Sequence, residues 1–91
     1  MSMATILIVD DEPAIRDLVD ITLDLAGYKS ISASNAHEAL VSVIDKKPDL
    51  VLLDWMLPGG SGIDLARRLR HDEITAAIPI IMLTAKTSED N

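Results

Sequence analysis

The apolar positions of this chain fall into two kinds of run. Ile6-Leu7-Ile8-Val9, Leu50-Val51-Leu52-Leu53 and Pro79-Ile80-Ile81-Met82-Leu83 are unbroken. Continuous β-branched and aliphatic segments predict strands buried on both faces, as parallel sheets require. Lys29 to Ala33 is short and more polar, and predicts a strand at a sheet edge. Between the strands the spacing becomes helical. Ile15, Leu18, Val19, Thr22, Leu25 and Ala26 share one face, with Asp17, Asp20 and Asp24 on the other. Pro13 suits a first helical turn, and Gly27 a helix stop. Asn35-Ala36-His37-Glu38 has the form of a capping box. The helix it opens is expected to bury Ala39, Leu40, Val43 and Ile44, and Lys46-Lys47-Pro48 ends it. Ile63, Ala66 and Leu69 mark a third helix to about His71. The order β-α-β-α-β-α-β predicts an α/β fold: a parallel sheet with helices on both faces and right-handed crossovers.

Composition narrows the picture. Ninety-one residues allow one domain, and 48% of them are apolar. Phe is absent, and Trp55 and Tyr28 are the only aromatics, so the core must be aliphatic. There is no Cys, which excludes disulfides and thiolate metal sites. The net charge of −7 repels phosphate backbones, so direct nucleic-acid binding by this segment is not expected, whereas cation binding is. Met1 to Thr5 carries no basic leader, and no run approaches the roughly 20 apolar residues of a membrane span. A cytoplasmic location is expected.

The candidate chemistry lies where the strands end. In an open parallel sheet, ligands bind beyond the carboxyl ends of the strands. Asp10-Asp11, Asp54 and Thr84 all stand at such ends. Converging carboxylates repel one another, and a divalent cation resolves that repulsion. An oxygen-only donor set suits Mg²⁺, which accepts phosphate oxygens as well. Asp54 is the candidate nucleophile, since carboxylates form aspartyl phosphates. Thr84 offers a hydroxyl to a phosphoryl oxygen, and the small Ala85 leaves access. Pro58-Gly59-Gly60-Ser61-Gly62 lacks the Lys-Ser/Thr pair of a P-loop and reads as a turn serving the site. Glu12 reads as a helix-start charge rather than a ligand. Trp55 is either a reporter or switch element beside Asp54, or exposed loop packing. His37 and His71 read as solvated helix positions; Arg67, Arg68 and Arg70 form a small basic cluster, read as a surface helix face with partner contact as the alternative.

Three stretches carry a family resemblance: Ile6 to Glu12, Leu52 to Gly62, and Pro79 to Ala85. Together they resemble the receiver domain of two-component response regulators, and the Asp54 to Gly62 stretch is similar to the OmpR/PhoB subfamily. The resemblance implies a flavodoxin-like (CheY-like) fold. It also implies that Asp54 accepts a phosphoryl group from a sensor histidine kinase. Asp11, Asp54 and the backbone carbonyl of Met56 would bind Mg²⁺, Asp10 would act mostly through water, and Thr84 would be the switch hydroxyl. Self-phosphorylation and slow self-dephosphorylation would be the only catalysis. A complete receiver of this kind continues with a fourth helix, a fifth strand bearing a Lys, and a fifth helix. No residue here matches that Lys, so residues 1–91 are expected to be an incomplete receiver. The transcriptional output domain implied by the subfamily is not encoded here.

Two physical expectations follow from such an incomplete fold. The helix starting near Pro13 would lose a packing partner. Strand 80–83 would become an apolar edge, favouring a homodimer or an exchanged element. Two other readings stay open. One is a signalling-incompetent or engineered half-domain that associates through that edge. The other is an aspartate-nucleophile phosphatase, against which Met56 counts, because such enzymes place a second acid two residues after the nucleophile.

Overall fold

The computed structural model describes residues 3–57 and 60–83. Along the chain run β1 (Thr5–Val9), α1 (Pro13–Leu25), β2 (Lys29–Ala33), α2 (Ala36–Lys46), β3 (Leu50–Asp54), β4 (Met56–Leu57), β5 (Gly60–Ser61), α3 (Gly62–His71) and β6 (Ile80–Leu83). The strands drawn from the continuous apolar runs, with β2, form one parallel sheet in the order β2-β1-β3-β6. The polar strand β2 takes one edge, as its composition predicts. The chain steps outward from β1 to β2, then crosses back over β1 to β3 and on to β6. Its direction therefore reverses between β1 and β3, which makes that crevice the switch point of the sheet. The architecture is that of the flavodoxin-like, CheY-like fold over the described residues.

The two faces of the sheet are covered unequally. On one face α2 and α3 pack together over the sheet. Leu7 and Val9 of β1 and Val51 and Leu53 of β3 meet Ala39, Val43, Leu65 and Leu69 of these helices in a single aliphatic core. On the other face α1 covers β1 and β2. Its cover fades across the sheet. Ile8 is fully buried, Leu52 beside it is half-buried, and Ile81 beside that is 50% exposed. No residue of α1 is buried; Leu18 and Leu25 are exposed, and of its apolar side chains only Ile15, Val19 and Leu23 are partly covered. The expected apolar stripe therefore exists in sequence but lies open.

Local signals act as physics requires. Asn35 caps α2 by accepting from the Glu38 amide at 2.8 Å. Glu38 accepts in return from the amide and hydroxyl of Ser34, both at 2.8 Å, one residue earlier than a strict capping box. Those two hydrogen bonds, backbone first, hold the Glu38 carboxyl below its ordinary pKa, with the Arg16 charge adding to the effect. Lys47 ends α2 in the left-handed region at φ 49°, and Gly27 follows α1 at φ 90°. Ile44 is exposed rather than buried. The pattern Ala39-Val43 is the helix's true inward row, because four residues advance one turn and return to the same face. In α3 the inward row is Leu65-Leu69, and Ile63 is exposed. Arg70 is committed to structure: its guanidinium donates to the carbonyls of Ala76 (3.0 Å) and Ile78 (2.8 Å) in the α3–β6 connection. Buried Thr75 donates to the Leu69 carbonyl at 2.6 Å in the same connection.

Candidate functional site

Register delivers the acids to one place. Val9 pairs with Leu53, so Asp10 leaves β1 beside Asp54 at the end of β3. One carboxylate oxygen from each of Asp10, Asp11 and Asp54 lies within 4.8 Å of the others. Asp10 is 1% exposed and Asp54 is 2% exposed, while Asp11 faces solvent. Asp10 is held at three atoms. Its amide donates to the Ala33 carbonyl at 3.1 Å, and its Oδ1 accepts from the Glu12 amide at 2.9 Å. Its carbonyl accepts from Arg16 Nη1 at 2.7 Å. Asp54 Oδ1 accepts from the Met56 amide at 3.4 Å. Glu12 stands outside the cluster as the N-cap of α1, in extended conformation and with no cap bond from its side chain.

The charge balance of this cluster defines what it can bind. Two unit charges about 5 Å apart at a partly buried site repel by about 3 kcal/mol, and three ionised carboxylates make three such pairs. Hydrogen bonds from the Glu12 and Met56 amides offset part of that. The donor set is hard oxygen throughout, with one solvent-facing carboxylate where water ligands can complete a coordination shell. This fits Mg²⁺ better than a softer metal.

The segment after Asp54, expected as a turn serving the site, carries more structure than a turn. β4 and β5 form a two-residue antiparallel ladder, pairing Met56 with Ser61 and Leu57 with Gly60. Leu57 is buried and anchors this loop in the core. The Gly62 amide then donates to the Trp55 carbonyl at 2.7 Å. A Cβ at Gly62 would overlap the Asp54 carbonyl oxygen and stand 2.6 Å from Trp55 Cα. Only glycine lets α3 begin hard against the backbone of Asp54. The signal was present in sequence: a glycine directly after the N-cap Ser61, where almost any other residue forms helix better. Ser61 Oγ accepts from the Asp64 amide at 3.1 Å, completing that cap.

The remaining expected residues are placed as follows. Trp55 is 41% exposed beside Asp54, and Met56 is 55% exposed. Leu83 pairs with Asp54 across β6. Thr84, Ala85, Pro58 and Gly59 lie outside the described residues. His37 and Arg68 line a groove between α2 and α3, to which none of the three acids contributes. Among the described residues, no helix is long and apolar enough to cross a membrane.

Comparison with known proteins agrees with this geometry. Residues 6–91 match the family model of the response regulator receiver domain. The chain is 61% identical over 87 residues to the phosphate regulon transcriptional regulatory protein PhoB of Pseudomonas aeruginosa, covering 96% of this chain and 38% of that protein. It is 42% identical over 86 residues to PhoB of Escherichia coli K12, covering 94% of this chain and again 38% of the relative. It thus spans about two fifths of the length of these relatives. The N-terminal domain of a response regulator receiver protein from Methanoculleus marisnigri superposes with a TM-score of 0.90 at 41% identity, covering 97% of this chain and 72% of that one.

Proposed function

The chain belongs to the response regulator receiver domain family, and from that premise we propose that Asp54 is its phosphate acceptor and the three clustered acids its Mg²⁺ site. The observation that carries the reading is the approach of the Asp10, Asp11 and Asp54 carboxylates to within 4.8 Å at the switch point of the sheet. Asp11, Asp54 and the Met56 carbonyl would hold Mg²⁺, with Asp10 acting through bound water. When bound, the cation neutralises charge on the phosphoryl oxygens, which is the main requirement of phosphoryl transfer.

The chain's own residues supply position. β1 and β3 fix the acids on neighbouring strands. The Met56–Ser61 ladder and the Gly62 contact fix the segment that follows the acceptor. A carboxylate oxygen of Asp54 forms the new bond to phosphorus. The bond from phosphorus to the donor breaks, and its electron pair stays on the donor atom: an imidazole nitrogen for a phosphohistidine, an oxygen for a small acyl phosphate. At 2% exposure, Asp54 is shielded from bulk water, which favours slow hydrolysis of the aspartyl phosphate. Thr84 is proposed as the hydroxyl that answers the new phosphate.

The phosphoryl donor is proposed to be a sensor histidine kinase. The longer protein in which this segment works is proposed to be a transcriptional regulator, supported by the 61% identity to a regulator so named. A second reading concerns assembly. β6 ends the sheet among the described residues, with Ile81 half exposed, and supports a homodimer or exchanged-element assembly of the 91-residue chain through strand 80–83.

Beryllium fluoride titration tests the central reading. With Mg²⁺, ¹⁹F NMR is expected to show one bound fluoroberyllate per chain, lost in Asp54→Asn. Binding that persists in Asp54→Asn would contradict the assignment of the acceptor, and turnover of phosphoesters would favour a phosphatase.

A further inference from the structure

Asp11 differs from its two partners in how it is held. Asp10 and Asp54 are almost wholly buried and accept backbone hydrogen bonds. Asp11 is exposed, and its carboxylate has no hydrogen bond among the described residues. Its direction must therefore be set through its backbone. The peptide unit that leads into Asp11 carries the Asp10 carbonyl, and that carbonyl accepts from Arg16 Nη1 at 2.7 Å.

The helix start makes this bond matter more. Glu12, the N-cap of α1, provides no cap bond from its side chain. Arg16, a donor, does not replace that cap; it ties the first turn of α1 back to the end of β1 instead. Its amide donates to the Glu12 carbonyl at 3.1 Å, while its guanidinium reaches back past the helix start to Asp10. The side chain is half-buried and lines a polar cleft with Asp17, Asp20 and Ser30. A charged donor on a single carbonyl is among the stronger hydrogen bonds available. It pins the peptide plane that leads into Asp11, while the Glu12 amide, donating to Asp10 Oδ1, holds the plane that follows.

We infer that Arg16 is a positioning residue of the metal site, holding the Asp10–Asp11 peptide so that the Asp11 carboxylate converges on Asp54. The inference rests on the cation-binding reading above. Two effects of removing Arg16 have opposite signs. Loss of a fixed positive charge near the acids favours cation binding, because that charge opposes the cation. Loss of the tether disfavours it, because Asp11 must then be ordered at the moment of binding. The tether dominates in this account. The charge is directed at a backbone carbonyl and is shared with Glu38, whose carboxyl it also stabilises.

The experiment is calorimetric titration of Mg²⁺ into the wild-type chain, Arg16→Gln, Arg16→Lys and Asp11→Asn. Circular dichroism and a thermal melt in EDTA check the fold of each. Supporting residues around metal ligands typically contribute about tenfold or more in affinity. Arg16→Gln is therefore expected to weaken Mg²⁺ binding about tenfold. Arg16→Lys keeps a donor and is expected to fall between it and the wild type. Unchanged or tighter binding in Arg16→Gln would overturn the inference, as would equal weakening by the lysine variant. If Arg16→Gln does not fold, Arg16→Lys decides alone: wild-type affinity with a single flexible donor would overturn it, and affinity between wild type and Asp11→Asn supports it. Wild-type protein that binds no Mg²⁺ would sink the metal-site reading itself, a result distinct from failure of the Arg16 inference.

Discussion

Replacing Gly62 by alanine sets two effects against each other. In an ordinary helix position the change is favourable by about 1 kcal/mol. Here the added Cβ meets the Asp54 carbonyl and Trp55 Cα, which are backbone atoms and cannot swing aside. Overpacking of this kind costs about 1–3 kcal/mol, so Gly62→Ala is expected to destabilise the chain in urea melts. The same displacement falls on the Asp54 peptide, so, with Asp54 as the proposed acceptor, phosphorylation should slow as well. A stabilised Gly62→Ala chain with normal phosphorylation would show that the contact is not tight in solution. At this scale the acids were legible from sequence because strand ends are where polar residues interrupt apolar runs. For Gly62 the sequence offered only a glycine at a helix start; its contact with Asp54 depends on how closely a later helix returns to an earlier strand.

The helices show what pattern predicts and what it cannot. The start of α2 was legible, because a cap is a local bargain between Asn35 and Glu38. Asn35→Ala is expected to destabilise by about 1 kcal/mol. Glu38 adds a pH signature. Its folded pKa is lowered, chiefly by the Ser34 amide, so its contribution is complete at neutral pH and is lost as pH falls through the lowered value. The stability difference between wild type and Glu38→Gln should shrink on acidification, and a constant difference across the carboxylate range would contradict the cap. The third feature, the open face of α1, illustrates the limit. Periodicity shows which residues share a stripe, but only the neighbours decide whether the stripe is covered. In the 91-residue chain, Leu25→Ala should change stability by less than about 0.5 kcal/mol. Leu7→Ala, in the core between sheet and helices, should cost about 2–5 kcal/mol. Equal effects in chemical denaturation would mean that α1 is packed in solution.

For the whole molecule, topology does the functional work. The alternation of strand and helix was readable along the chain, and it alone implies that Asp10, Asp11 and Asp54 share one edge of the sheet. The order β2-β1-β3-β6 then makes two of their carriers neighbours. Because a cation relieves repulsion among acids that the fold forces together, Mg²⁺ should stabilise the chain. At a concentration one hundred times its dissociation constant, the gain is about 2.7 kcal/mol. Association through β6 predicts concentration-dependent sedimentation of the 91-residue chain, and a strictly monomeric profile would remove that reading. The most direct test of the account is mass spectrometry of the chain after treatment with a small acyl phosphate. Gain of one phosphoryl group, mapped to Asp54, is expected, dependent on Mg²⁺ and absent in Asp54→Asn. Phosphorylation undiminished in Asp54→Asn, or in EDTA, would contradict it.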